Sequence, residues 1–196
     1  MSKKLYYIFN KPYNVLSQFS KEVEEHITLK DFLEVPKDVY PVGRLDKDSE
    51  GLLLLTNDNL FKTKLLNPST KSKKTYWVQV DGDISETAID NLRRGIKIKI
   101  KNSQYHTLPA KVVKIPKPKV EERNPPVRYR ANIPTSWIEI TIHEGKNRQV
   151  RKMCAKVGFP CLRLIRSKIK GESFLDVKIG EARPLTSKEL HTIMNA

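Results

Sequence analysis

The sequence predicts an α+β fold, a mixed, predominantly antiparallel sheet with flanking helices, and three observations carry that prediction. Segments that alternate apolar and polar residues, or that are apolar throughout, outnumber amphipathic helical segments. They are joined mostly by short turns or single helices, without the regular strand-helix-strand alternation of a parallel doubly wound sheet. The 196 residues are 38% hydrophobic, enough to bury a core without staples.

Leu5-Tyr6-Tyr7-Ile8-Phe9 is strand-like, Asn10-Lys11-Pro12-Tyr13 interrupts it, and Thr28 to Leu33 reads as a short helical turn before Pro36. Four leucines, Leu52 to Leu55, followed by Thr56-Asn57-Asp58, read as a strand buried on both faces. Asn57-Asp58 can cap a helix through Leu60, Phe61, Leu65 and Leu66 that stops before Pro68. A polar, basic connection, Asn67 to Lys74, leads into Thr75-Tyr76-Trp77-Val78-Gln79-Val80, whose alternation puts Tyr76 on the face of Val78 and Val80. Ser85 caps a helix through Ile89 and Leu92 ending at Gly95, and strands follow at Ile96–Lys101 and Ala110–Ile115.

Between Pro116 and Pro134 a proline-rich loop carries Lys117, Lys119, Arg123, Arg128 and Arg130. It reads either as a solvated linker or as a stiff segment that touches phosphates. Trp137 to Ile142 is a strand, and Glu144-Gly145-Lys146-Asn147 turns into a helix ending at Gly158. On that helix Val150, Met153, Cys154 and Val157 form an apolar stripe, Arg148, Lys152 and Lys156 lie opposite, and Arg151 sits at the stripe's edge. Strands are predicted at Cys161–Arg166 and Phe174–Ile179, and Thr186-Ser187-Lys188-Glu189 is a capping box that opens the last helix.

The formal net charge of +15 favours a polyanionic partner. Nucleic acid is the first candidate and an anionic membrane surface the second. No long apolar run, signal peptide or lipidation signal is present, which points to a soluble cytoplasmic protein. Cys154 and Cys161 form no CxxC pair, and the four histidines are scattered, so neither a disulfide framework nor a metal site is expected.

The segment from Pro41 to Asp58 is the richest in information, because a charged loop between Gly43 and Gly51 runs directly into the buried leucine strand. Asp46 is thereby held near Arg44 and Lys47. Residue chemistry alone leaves two readings open: a solvated turn whose glycines permit positive φ, or an active-site loop. A carboxylate pair of Asp46 with Asp48 or Glu50 would also suit a glycosidase, although such a neutral substrate leaves the basic excess unexplained.

The stretch GRLDKDSEGLLLLTND resembles the catalytic motif of the RsuA/RluB/RluE/RluF family of ribosomal RNA pseudouridine synthases. Phe9-Asn10-Lys11-Pro12-Tyr13, Lys74 to Val80, and Glu144 to Met153 continuing from Gly158 to Arg166 match further family motifs in the expected order. Arg123-Asn124-Pro125-Pro126 and Ile133-Pro134-Thr135-Ser136-Trp137 resemble the RluE type, which modifies large-subunit ribosomal RNA. The resemblance implies the pseudouridine synthase catalytic fold over residues 1–196, two lobes around a cleft at approximately 1–70 and 71–196. It implies no S4-like domain, since the catalytic pattern begins by residue 5.

By that resemblance the chain converts uridine to pseudouridine in 23S rather than 16S ribosomal RNA, free or in a pre-ribosomal particle, a reaction that needs no cofactor; a monomer is expected because no long exposed apolar seam is apparent. Asp46 is the implied catalytic carboxylate, Arg151 its basic partner, and Tyr76 the aromatic that stacks on uracil and assists removal of the C5 proton. Leu164 is implied to line the base pocket. Arg44, Lys47, Arg148, Gln149, Lys152 and Arg166 are candidates for contacts to RNA. The competing reading, a non-catalytic basic RNA-binding or ribosome-assembly protein, accounts for the charge but gives no reason for the Asp46 loop.

Overall fold

The computed structural model describes residues 3–128 and 130–195. In chain order the elements are β1 (Tyr6–Lys11), a 3-10 turn (Leu29–Asp31), β2 (Tyr40–Pro41), β3 (Glu50–Thr56), α1 (Asn59–Leu66), a second 3-10 turn (Pro68–Thr70), β4 (Lys74–Asp81), α2 (Glu86–Arg94), β5 (Lys97–Ile100) and β6 (Ser103–His106). There follow β7 (Lys111–Ile115), β8 (Thr135–Ile142), α3 (Gln149–Lys156), β9 (Cys161–Ile169), β10 (Glu172–Ser173), β11 (Ala182–Pro184) and α4 (Ser187–Asn195). The chain divides into two compact units, residues 1–72 with 166–196 and residues 73–165.

The first unit is built on β3, every residue of which is buried. Four leucines at about 2 kcal/mol each make this strand a firm anchor for the loop before it. β3 pairs antiparallel with β1, Phe9 opposite Leu53, and with β2, Tyr40 opposite Thr56. β11 pairs with the outer side of β1. Phe9, Val15, Leu29, Leu33, Val39, Leu53 and Leu55 close one core cluster beneath this sheet. The Asp58 carboxylate caps α1, accepting from the Leu60 and Phe61 N–H groups, and the Thr186–Glu189 capping box opens α4.

The predicted strand at Phe174–Ile179 does not form. Phe174 and Val177 are both buried, three residues apart, while Leu175 is 61% exposed. That spacing belongs to a turn: the Val177 N–H donates to the Phe174 carbonyl, and Asn10 Nδ2 holds the Val177 carbonyl at 2.8 Å.

In the second unit β8 lies between β4 and β7, antiparallel to both. Ile138, Ile140 and Ile142 of β8 and Val78 and Val80 of β4 are buried as their alternation predicts. α2 carries Ala88, Ile89 and Leu92 on its buried side, is capped by Ser85, and closes at Gly95. A Cβ at Gly95, where φ is +84°, would lie 2.3 Å from the Thr107 carbonyl oxygen, so only glycine fits this close approach. β5 and β6 form a separate hairpin. The proline-rich stretch is stapled rather than free: Arg123 donates to the carbonyls of Pro125, Pro126 and Leu162 at 2.8, 3.0 and 3.4 Å.

Candidate active site

In the first unit the Asp46 loop is tied down on both sides of its carboxylate. The buried Ser17 hydroxyl accepts from the Leu45 N–H at 3.0 Å and donates to the Leu45 carbonyl at 2.9 Å. The Asn14 N–H donates to the Lys47 carbonyl at 2.8 Å, and the Ser49 N–H donates to that of Asp46 at 3.0 Å. Asp46 is half-buried, while Arg44 and Lys47 project into solvent. Gly43 turns the chain at φ +74°, with α1 so close that a Cβ would meet Leu66 at 3.0 Å.

Beneath this loop lies Lys11, which is fully buried. Its Nζ donates to the carbonyls of Val15 at 2.6 Å, Pro12 at 2.9 Å and Lys47 at 3.4 Å. Burial pulls its pKa from the ordinary 10.5 down to about 7, against the opposing pull of Glu50, Asp48 and Asp46 and with a smaller push from Arg166. Arg166 is itself buried, and its Nε donates to the Leu52 carbonyl at 2.7 Å. The structure therefore gathers Lys11, Asp46, Asp48, Glu50 and Arg166 into one charged cluster; the sequence pointed to Asp46 and Arg166, to Asp48 and Glu50 only as glycosidase partners of Asp46, and not to Lys11. Lys11 shares a strand face with Phe9, and a lysine continuing an inward apolar face was the available signal.

In the second unit Tyr76 is buried on β4 opposite Ile140, and Leu164 is buried on β9. Arg151, half-buried on α3, directs Nη1 at the Cys161 carbonyl and Sγ, at 3.4 and 3.5 Å. Arg148 stands at the N-cap of α3 with φ +51°, exposed, and Lys152 reaches the Asn147 side chain at 3.4 Å.

The loop before α3 is held by Glu144. Its carboxylate accepts from the Gln149 side-chain amide at 2.6 Å, from the Leu108 N–H at 2.9 Å and, in a short hydrogen bond, from the Tyr105 hydroxyl. Gln149 is buried and also accepts from the Lys146 N–H at 3.1 Å, so its amide is spent within the protein. The bond to Glu144 pushes the Tyr105 pKa up to about 12, and Lys146 Nζ lies 4.8 Å from the centre of the same ring. Tyr105 sits on β6, a short strand without a sequence signal, and nothing in its own neighbourhood announces the role. Tyr105→Phe removes one donor from a carboxylate and is expected to cost about 1–2 kcal/mol. The check is urea unfolding, with a lower midpoint at unchanged m.

Residues 5–156 match a protein family described as RNA pseudouridylate synthase. Over 183 residues the chain is 53% identical to ribosomal large subunit pseudouridine synthase E of Vibrio parahaemolyticus, covering 93% of this chain and 72% of that protein. The protein of the same name from Xanthomonas campestris is 44% identical over 178 residues, covering 90% of this chain and 92% of the relative. A solved structure titled as a pseudouridylate synthase is similar at TM-score 0.78 and 26% identity, covering 98% of this chain and 75% of that one.

Proposed function

This chain belongs to the RNA pseudouridylate synthase family, and on that premise we propose that its substrate is a uridine of large-subunit ribosomal RNA, free or in a pre-ribosomal particle. The names of the relatives support the choice of large-subunit RNA. The net charge of +15 supports a polyanion as partner. In this reading the protein works as a monomer in the cytoplasm. Among the described residues no helix is long and apolar enough to cross a membrane.

The reaction breaks the N1–C1′ glycosidic bond, turns the uracil and joins C5 to C1′. The C5 proton is lost and N1 gains one, so the product is an isomer and no electrons change hands. The sugar carbon becomes electron-poor as the bond breaks, and a carboxylate is suited to attack it or stabilise its charge. Asp46 is the group for this step. The observation that carries the assignment is the fastening of its loop by Ser17, Asn14 and Lys11, which fixes a carboxylate before the substrate arrives.

Tyr76 stacks on the uracil, and its hydroxyl assists removal of the C5 proton. Arg151 supplies a guanidinium that stays charged throughout the reaction, and Leu164 provides apolar surface for the base. Arg44, Lys47, Arg148 and Lys152 are all at least partly exposed and take phosphates. Gln149 and Arg166, first considered for RNA contact, are buried on internal carbonyl and carboxylate partners and serve as positioning residues. The target uridine must leave its stack, at a cost of a few kcal/mol that base stacking and phosphate contacts offset.

The substrate assignment is tested by incubating wild-type protein with large-subunit and small-subunit ribosomal RNA separately and counting pseudouridine in each. Modification confined to the small-subunit RNA would overturn it. For Tyr76→Phe, a fall in kcat on the order of 10²-fold is expected, with RNA affinity nearly unchanged. An unaltered kcat would restrict Tyr76 to stacking.

A further inference from the structure

Within the first unit a groove of about 1200 Å³ opens beside the Asp46 loop. Its apolar lining includes Phe19, Leu33, Val35, Val39, Tyr40 and Leu66. Its charged lining consists of Lys30, Lys37, Arg44 and Lys62 against one acid, Glu34. The proposed chemistry at Asp46 and Tyr76 uses none of these except Arg44.

We propose that this groove is a subsite for single-stranded RNA, holding nucleotides that flank the target uridine; the inference rests on the reading of the chain as an enzyme acting on ribosomal RNA. Its volume exceeds the ~300–1,000 Å³ usual for small-molecule sites, which suits a stretch of polymer better than a metabolite. Aromatic rings among cations are what an unpaired strand requires, because every base has a π-face and every linkage a negative charge. Tyr40 is 55% exposed, yet its backbone is fixed by the pairing of β2 with β3. A ring displayed on a rigid strand is a stacking platform that loses little freedom when a base covers it.

Four cations against one acid repel a basic partner, gain nothing from a neutral one and attract a polyanion. The groove also has a direction. Gly43 and Arg44 belong to its wall and to the loop that carries Asp46. The exposed Arg44 directs Nη2 at the Gln18 side-chain oxygen, 3.4 Å away, and Gln18 lines the groove as well. RNA lying along this wall is thus led toward the reactive carboxylate.

The test uses fluorescence anisotropy with a labelled single-stranded uridine dodecamer, wild-type protein, Tyr40→Ala, and a triple Lys30→Ala, Lys37→Ala, Lys62→Ala variant. Tyr40→Ala is expected to weaken binding about 10-fold. The triple variant should flatten the slope of log affinity against log salt by about two, since each phosphate contact on a single strand contributes ~0.7. With ribosomal RNA both variants should raise KM more than they lower kcat. Because Tyr40 is mostly solvated, its truncation spares the core, and Tyr40→Leu separates lost stacking from lost bulk: it should remain weak if the ring is what the base covers.

Dodecamer binding equal to wild type in both variants would overturn the subsite. So would tight capture of a glutamate decamer that depends on Tyr40 and the three lysines while RNA binding does not, which would mark a docking site for an acidic protein. Failure of the enzyme reading looks different, since wild-type protein would then form no pseudouridine whatever the anisotropy shows.

Discussion

Asp46→Asn is expected to fold, to bind ribosomal RNA within about two-fold of wild type, and to form pseudouridine at least about 10⁴-fold more slowly, the scale of loss seen when a reacting carboxylate or nucleophile is removed. The amide keeps the shape of the side chain and removes only its charge and nucleophilicity. The bonds between the Ser17 hydroxyl and the Leu45 backbone, and from the Asn14 N–H to the Lys47 carbonyl, do not involve the carboxylate, so the loop retains its course. Melting temperature and dodecamer affinity measure the preserved part, and pseudouridine per RNA over time measures the lost part. Wild-type turnover by the variant would move the chemistry to another residue.

Lys11→Met is expected to change the pH dependence of stability and to slow turnover. The folded pKa of Lys11 is about 7, below the ordinary 10.5. Between these values the unfolded chain binds the proton that the folded chain has released, so Lys11 makes stability rise with pH across this window, by up to about 1.4 kcal/mol per unit. Methionine fills similar volume and does not titrate. Urea unfolding of both proteins at pH 7 and pH 9.5 should therefore show wild type gaining about 2–3 kcal/mol on the variant. An equal gap at both pH values would contradict the account of a buried amine with a lowered pKa. The same substitution strips a donor from the carbonyls of Pro12, Val15 and Lys47, the last adjacent to Asp46. A loop displaced by an ångström commonly costs turnover on the order of 10²-fold, so kcat should fall even at pH 7.

The elements that the sequence announced are those whose signal is local. The leucines of β3, the Asp58 and Ser85 caps, the alternation of β4 and β8, and the stripe of α3 each depend on residues a few positions apart. The short strands β2, β6 and β11 carry no such pattern; β2 and β11 form against the longer β3 and β1, and β6 forms in a hairpin with the equally short β5. At Phe174–Ile179 apolar content suggested a strand, but the spacing of the buried pair and the grip of Asn10, far away in sequence, made a turn.

The residues proposed to react stand in long motifs that the sequence displays, whereas the groups that hold their loops in place do not. Ser17, Tyr105 and Glu144 act through contacts 28 to 39 residues distant in the chain. Gln149 shows the same limit from the other side. It lies in a motif rich in exposed cations, and only the positions of Glu144 and Lys146 reveal that its amide faces inward.

The isomerisation of uridine in large-subunit ribosomal RNA proposed for this chain runs by way of Asp46. The most direct measurement is tritium release from that RNA carrying [5-³H]uridine, with wild type and Asp46→Asn side by side. Joining C5 to C1′ expels the label, so release to a fixed stoichiometry is expected from wild type and none above background from the variant. Release by both proteins, or by neither while RNA binding persists, would contradict it.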